Sequence, residues 1–207
     1  MALDANLTEL GRKQAEATAE YLLAKPILLD GTDKVILVSP FRRTLQTCKP
    51  IAEHTNLPAH VFPWVCEYFS HTNDAYHAFE GLSRRELTRE YPFVQLDEIA
   101  ACKDAWWPME LEDTRAIYDR SAAVRDALYE QFAGTDTQVM IVSHAEPIGR
   151  LIEAMLRISP DPGWPPWTEN CGISRLIVED PSEPADLVVL NDTSHLKVLG
   201  LVSKVLP

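Results

Sequence analysis

Two segments of the 207-residue chain repeat one pattern, and that pattern constrains the fold more than any other feature. Lys34-Val-Ile-Leu-Val38 and Gln138-Val-Met-Ile-Val142 are short apolar runs rich in β-branched residues, each followed at once by a serine. Uninterrupted apolar runs of this length belong to strands buried on both faces, the environment of a parallel sheet. After the first run, Ser39 and Pro40 read as the N-cap and N1 residues of a helix through Ala52. After the second, Ser143, His144 and Pro147 open a helix to about Arg157. A strand that feeds directly into a helix, twice, is the mark of an α/β sheet.

The other elements agree. Thr8 is the expected N-cap of a first helix, with Glu9 in its first turn and Ala15, Ala19, Leu22 and Leu23 on a buried stripe. Ala59-His-Val-Phe62 predicts a further strand, and Ser83-Arg-Arg-Glu86 is a capping box whose helix ends before Pro92. From Glu112 an amphipathic helix puts Ile117, Ser121, Val124, Leu128 and Phe132 on one face, and Gly134 closes it. Two last strands, about Gly172 to Val178 and Leu187 to Leu190, flank the turn-forming stretch Asp180 to Asp186. Strands alternating with helices predict a three-layer α/β sandwich with a mostly parallel central sheet and helices on both faces. With no repeat, low-complexity tract or linker, residues 1–207 read as one domain.

Composition limits the function classes. The 31 acidic and 19 basic residues give a net charge of −12, which argues against nucleic-acid or anionic-membrane partners, since both need a basic footprint. A small anionic substrate needs only a local cluster of Arg. No apolar run is long enough for a transmembrane helix, and the N-terminus lacks the flanks of a signal peptide. Cys48, Cys66, Cys102 and Cys171 are scattered without CxxC spacing and read as reduced thiols, so the expected location is the cytoplasm.

The paired strand ends are where chemistry is expected. In open α/β sheets ligands bind at the carboxyl edge, where helix N-termini present unpaired N–H groups and positive potential. Arg42 and Arg43 add charge at the first edge, and an Arg fork matches a phosphate in bidentate fashion. His144 at the second edge can donate to the same oxyanion.

The same segments resemble a known family. Leu7-Thr-Glu-Leu-Gly11, Ser39-Pro-Phe-Arg-Arg43-Thr-Leu-Gln46-Thr47, Val142-Ser-His144, Asn170-Cys-Gly-Ile-Ser174 and Asn191-Asp-Thr-Ser-His195-Leu look like the motifs of the histidine phosphatase superfamily, the phosphoglycerate-mutase-like group. They stand in family order and span nearly the whole chain. The resemblance implies phosphoryl transfer without metal or other cofactor, from a small phosphorylated substrate, by a phosphomonoesterase or mutase. In such proteins the His of an Arg-His-Gly motif on the first strand becomes phosphohistidine. A second His and two Arg hold the phosphoryl group, and a carboxylic acid protonates the leaving oxygen. Here Arg43 matches a phosphate-binding Arg, His144 the second His, and Glu67 the proton donor, with Glu80 as the alternative.

One departure is large. No Arg-His-Gly occurs in the 207 residues. In the family it lies ahead of the Leu-Thr-x-x-Gly helix, and Leu7 has six residues before it. Nucleophile, one Arg and the first strand of the family fold are therefore expected to be missing together, as in an N-terminal truncation. The chain as given is expected to be inactive, and a non-catalytic phosphate-binding domain is the competing class. A smaller departure is Ala145-Glu146, where the family has Gly after the second His. Glu146 either points into the pocket or is an ordinary first-turn carboxylate. His71, Asp74 and His77 read as a polar loop rather than a metal site. Cys171 reads as a buried thiol rather than a nucleophile paired with His144, and His195 as structural support. Asn170 is a candidate for orienting a loop near the pocket. Trp106 and Trp107 before Pro108, and Trp164 and Trp167 between prolines, read equally well as a lid or apolar wall for a leaving group and as core packing or loop anchors.

Overall fold

The computed structural model describes residues 4–25, 33–70, 79–96, 110–160 and 168–202. Thr8 caps the first helix, α1 (Glu9–Ala24), by accepting from Gly11 N at 3.1 Å. Ala15, Ala19 and Leu22 are buried as the spacing predicts, but Leu23 is half in solvent, and Gln14, Ala17 and Thr18 complete the buried face instead.

Strand β1 (Asp33–Val38) leads into α2 (Arg42–Thr55), and β2 (Ala59–Val61) leads into a 3-10 turn at Pro63–Val65. The capping box forms as expected and opens α3 (Arg84–Glu90); β3 (Val94–Gln95) comes after it. Then come α4 (Thr114–Phe132), β4 (Thr137–Val142), α5 (Ala145–Met155), β5 (Ile173–Ile177), β6 (Asp186–Asp192) and α6 (Ser194–Val198). α4 begins at Thr114 rather than Glu112, and Asp113 caps it by accepting from Ala116 N at 2.8 Å. The short β3 and α6 were not expected from the sequence.

The main sheet has the order β3-β2-β1-β4, all parallel, and β5 and β6 form a separate antiparallel pair. Why the strands are apolar throughout is now visible. Ile36 and Val38 of β1 pack toward α1 and α2, with Met140 and Val142 of β4 beside them. Leu37 and Val35 pack toward α4 and α5, with Val139 and Ile141. Period-two alternation thus delivers apolar side chains to two separate cores, one on each face. β1 and β4 are in register from Asp33↔Thr137 to Val38↔Val142, so the segments leaving the two strands emerge side by side. β4 pairs with no described strand on its other side, and all six of its residues are only half-buried. No described helix is long and apolar enough to cross a membrane.

Candidate active site

The β1–β4 ladder continues one step past the strands: Ser39 N donates to Val142 O at 3.0 Å. The sequence makes Ser39 the cap of α2, but α2 starts at Arg42 with Phe41 in the N-cap position and no cap from Phe41's own side chain. Asp4 reaches across instead, and its Oδ1 accepts from Arg42 N at 2.7 Å. Burial pushes the Asp4 carboxyl up, against the pull of the Arg42 amide and of the Arg42 and Arg43 charges. Released from capping, the Ser39 hydroxyl lies 2.8 Å from His144 Nε2.

His144 is the N-cap residue of α5 and is buried. Phe41 meets its ring edge-on, with centroids 5.0 Å apart, and stacks in turn on Phe79 at 5.2 Å. Burial, then the charges of Arg43 and Arg120, hold the imidazole well below the ordinary 6.5, so it is neutral at pH 7.

β2 supplies the third group. Phe62 N donates to Val38 O at 2.8 Å, and the 3-10 turn then brings the chain back over the strand ends to Glu67. Ser143 Oγ ties that turn to β4 by donating to Val65 O at 2.6 Å. Glu67 Oε2 accepts from Arg43 Nη2 at 3.0 Å and lies 3.5 Å from His144 Nδ1. Because the ring is neutral, the second contact is a dipole against a carboxylate and not an ion pair. The Arg43 guanidinium also lies 4.6 Å from the Phe41 ring centroid, a cation–π arrangement that fixes its plane.

The structure therefore brings Arg43, Glu67 and His144 together, two nitrogens converging on one oxygen. It does not bring Arg42 to them: that side chain pairs with Glu90 and Asp4. Glu80 is exposed, and the carboxylate oxygen that Arg43 and His144 share belongs to Glu67. Glu146 turns along its own helix, with Oε1 accepting from Arg150 Nε at 3.1 Å, which is the ordinary first-turn reading. Cys171 lies by Thr18, and burial pushes its thiol up, as it pushes those of Cys48 and Cys66 to about 12. His195 bonds Thr18 Oγ1 at 3.0 Å and stacks on Tyr21, a packing role. Among the described residues no cluster of His, Cys, Asp or Glu suits a metal ion. His71, Asp74, His77, Cys102 and the four Trp at 106, 107, 164 and 167 lie outside the described residues.

One contributor is not visible in the sequence pattern. Arg120 of α4 is buried under the loop that carries Glu67. Its Nε and Nη2 donate to Glu112 Oε1 and Oε2 at 2.6 and 2.8 Å, and its Nη1 to the carbonyls of Trp64 and Cys66 at 2.6 and 3.2 Å. Those carbonyls lie just ahead of Glu67. The sequence signal is only an acid and an Arg eight residues apart at a helix start.

The family model described as histidine phosphatase superfamily (branch 1) matches residues 1–193. Glucosyl-3-phosphoglycerate phosphatase of Mycolicibacterium vanbaalenii is 30% identical over 169 residues, 79% of this chain and 68% of that protein. The Mycobacterium tuberculosis (strain ATCC 25618 / H37Rv) protein of the same name is 30% identical over 172 residues, 79% and 69%. Solved structures of a mycobacterial glucosyl-3-phosphoglycerate phosphatase, with inorganic phosphate and with VO3, superpose with a TM-score of 0.61 at 26% identity. They cover 93% and 92% of this chain and 90% and 89% of those.

Proposed function

Because the chain belongs to the histidine phosphatase superfamily, branch 1, we propose that it carries the phosphate site of a cytosolic phosphomonoesterase in Arg43 and His144 and its proton donor in Glu67. One observation carries the reading: three side chains that follow three strand ends meet, with nitrogens of Arg43 and His144 3.0 and 3.5 Å from the Oε2 oxygen of Glu67 itself. Two of them are nitrogen donors able to take a tetrahedral oxyanion, and the third is the acid that a leaving alkoxide needs. The names of the relatives favour phosphatase over mutase and a phosphorylated hydroxy acid with a sugar attached as the substrate class. Leaving-group choice falls to residues 63–111 and 158–170.

The chemistry is in-line transfer. A histidine nitrogen attacks phosphorus, the bond to the leaving oxygen breaks, and Glu67, displaced from Arg43 by the phosphoryl group and protonated in the substrate complex, gives that proton to the leaving oxygen. Arg43 and His144 hold the equatorial oxygens as charge builds there. The attacking histidine of this scheme belongs to an Arg-His-Gly strand, which the 207 residues do not contain. The half-buried outer side of β4 is where such a strand would pair. On this reading the 207-residue chain by itself does not turn over. A version carrying an Arg-His-Gly strand ahead of Leu7 hydrolyses a generic phosphomonoester and traps phosphate on histidine. Turnover by the 207-residue protein alone, lost on His144→Ala, would overturn the assignment. Orthophosphate binding without turnover in the longer version would favour the binding-domain reading instead.

A further inference from the structure

Ser39 is fully buried and held at three points. Its N–H donates to Val142 O, its carbonyl accepts from Thr44 Oγ1 at 2.9 Å, and its hydroxyl meets His144 Nε2 at 2.8 Å. We propose that Ser39 is a positioning residue that sets the tautomer of His144: its hydroxyl donates to Nε2, so the ring hydrogen sits on Nδ1 and faces Glu67 and the anion position.

The argument is an inventory of protons. A hydroxyl has one proton to place, and a neutral imidazole has one donor nitrogen and one acceptor nitrogen. Suppose Nε2 carried the hydrogen and donated to Ser39 Oγ. Ser39 is fully buried and its hydroxyl meets no other partner among the described residues, so the hydroxyl proton would then be left unpaired, and a buried donor left unmade bears its full desolvation penalty. On the other side of the ring, the Nδ1 lone pair would face Glu67 Oε2 at 3.5 Å, two acceptors opposed. Reversing the hydrogen resolves both faults at once. Ser39 donates, Nε2 accepts, and Nδ1–H points its positive end at the carboxylate oxygen. The backbone supports this arrangement. Asp4 satisfies the Arg42 N–H that a serine ahead of a helix would ordinarily cap, which leaves the hydroxyl for the histidine.

The consequence is that His144 offers a hydrogen to a phosphoryl oxygen without needing to be charged. That consequence rests on the proposed function; the tautomer does not, and the test separates them. Histidine ring nitrogens of the 207-residue protein are labelled with nitrogen-15 and read by two-bond proton–nitrogen correlation near pH 7, with His144→Gln identifying the signals. The expected pattern is one tautomer at His144, with Nδ1 protonated and Nε2 bare. Ser39→Ala should shift His144 to the Nε2-protonated form or a mixture, with the patterns of the other five histidines unchanged, and Ser39→Thr should restore it. If Ser39→Ala does not fold, Ser39→Cys, a weaker donor of similar size, should show the same shift in part. A protonated Nε2 in the unaltered protein, or an unchanged pattern in a folded Ser39→Ala or Ser39→Cys protein, overturns the inference. Orthophosphate is then added: movement of the His144 Nδ1–H signal supports the anion site. No movement while the tautomer holds fells that site and leaves the role of Ser39 standing.

Discussion

Removing Arg120 tests whether the Glu67 loop is clamped from below. The side chains of Arg120 and Glu112 are each 8% exposed and make two parallel hydrogen bonds. Arg120→Met leaves the Glu112 carboxylate under the loop, with Phe69 N still donating to it from a stretched 3.4 Å. Breaking a buried pair from one side costs about 3–5 kcal/mol, most of it the uncompensated charge. The carbonyls of Trp64 and Cys66 lose a donor as well, although Trp64 lies where water can reach it. For a chain of this size each kcal/mol moves Tm by about 2–4 °C, so the expected drop is about 6–20 °C. Glu112→Gln with Arg120→Met removes both charges, and most of that loss should return. The assay is urea unfolding at constant m-value, with thermal melts alongside. A single variant costing under about 1 kcal/mol would show that the clamp carries no weight. A double variant as unstable as the single would show that the penalty is not the stranded carboxylate.

The same geometry sets three other outcomes. Arg43→Ala should weaken orthophosphate or vanadate binding about tenfold or more, as expected for a charge-assisted contact, and Arg43→Lys should recover only part because a point charge cannot make two parallel bonds; titration calorimetry on the three proteins checks this. In a version with an Arg-His-Gly strand, Glu67→Gln should slow esters of poor leaving groups far more than those of good ones, and an equal loss across a leaving-group series would move the acid role to Glu80. Stability should fall as pH drops below about 6.5, where unfolded histidines take up protons. His144, and His195 to a lesser degree, are held below that value in the folded chain, burial first, so each contributes stability that is complete above the unfolded value and is lost on acidification. The limiting slope is about 1.4 kcal/mol per pH unit per histidine. Urea midpoints from pH 8 to pH 5 read it, and a flat profile in the unaltered protein would contradict a buried neutral His144.

The parts of the fold legible in the sequence are those that depend on near neighbours. An apolar run of four, a capping box, and a 3.6-residue stripe are local signatures, and β1, β4, α3 and α4 obey them. Leu23 shows the limit: it fits the stripe of α1 but sits at its edge, half in solvent. Arg43, Glu67 and His144 were legible as a set only through the resemblance, because nothing local says that residue 67 returns over the ends of β1 and β4. What joins them is tertiary. Ser39 and His144 are 105 positions apart, and Arg120 reaches Trp64 across 56. Ser39 is the instructive case. Read locally, a serine before a proline is a helix cap, and that reading uses up its hydroxyl. In the folded chain a distant carboxylate, Asp4, does the capping work, so the same hydroxyl is available to a histidine. Local pattern gives a polar residue its first-choice partner, and the fold can override it wherever a better-placed acceptor satisfies the backbone. At the meeting of two strand ends that substitution matters most, because a released hydroxyl there lies against the buried ring of His144.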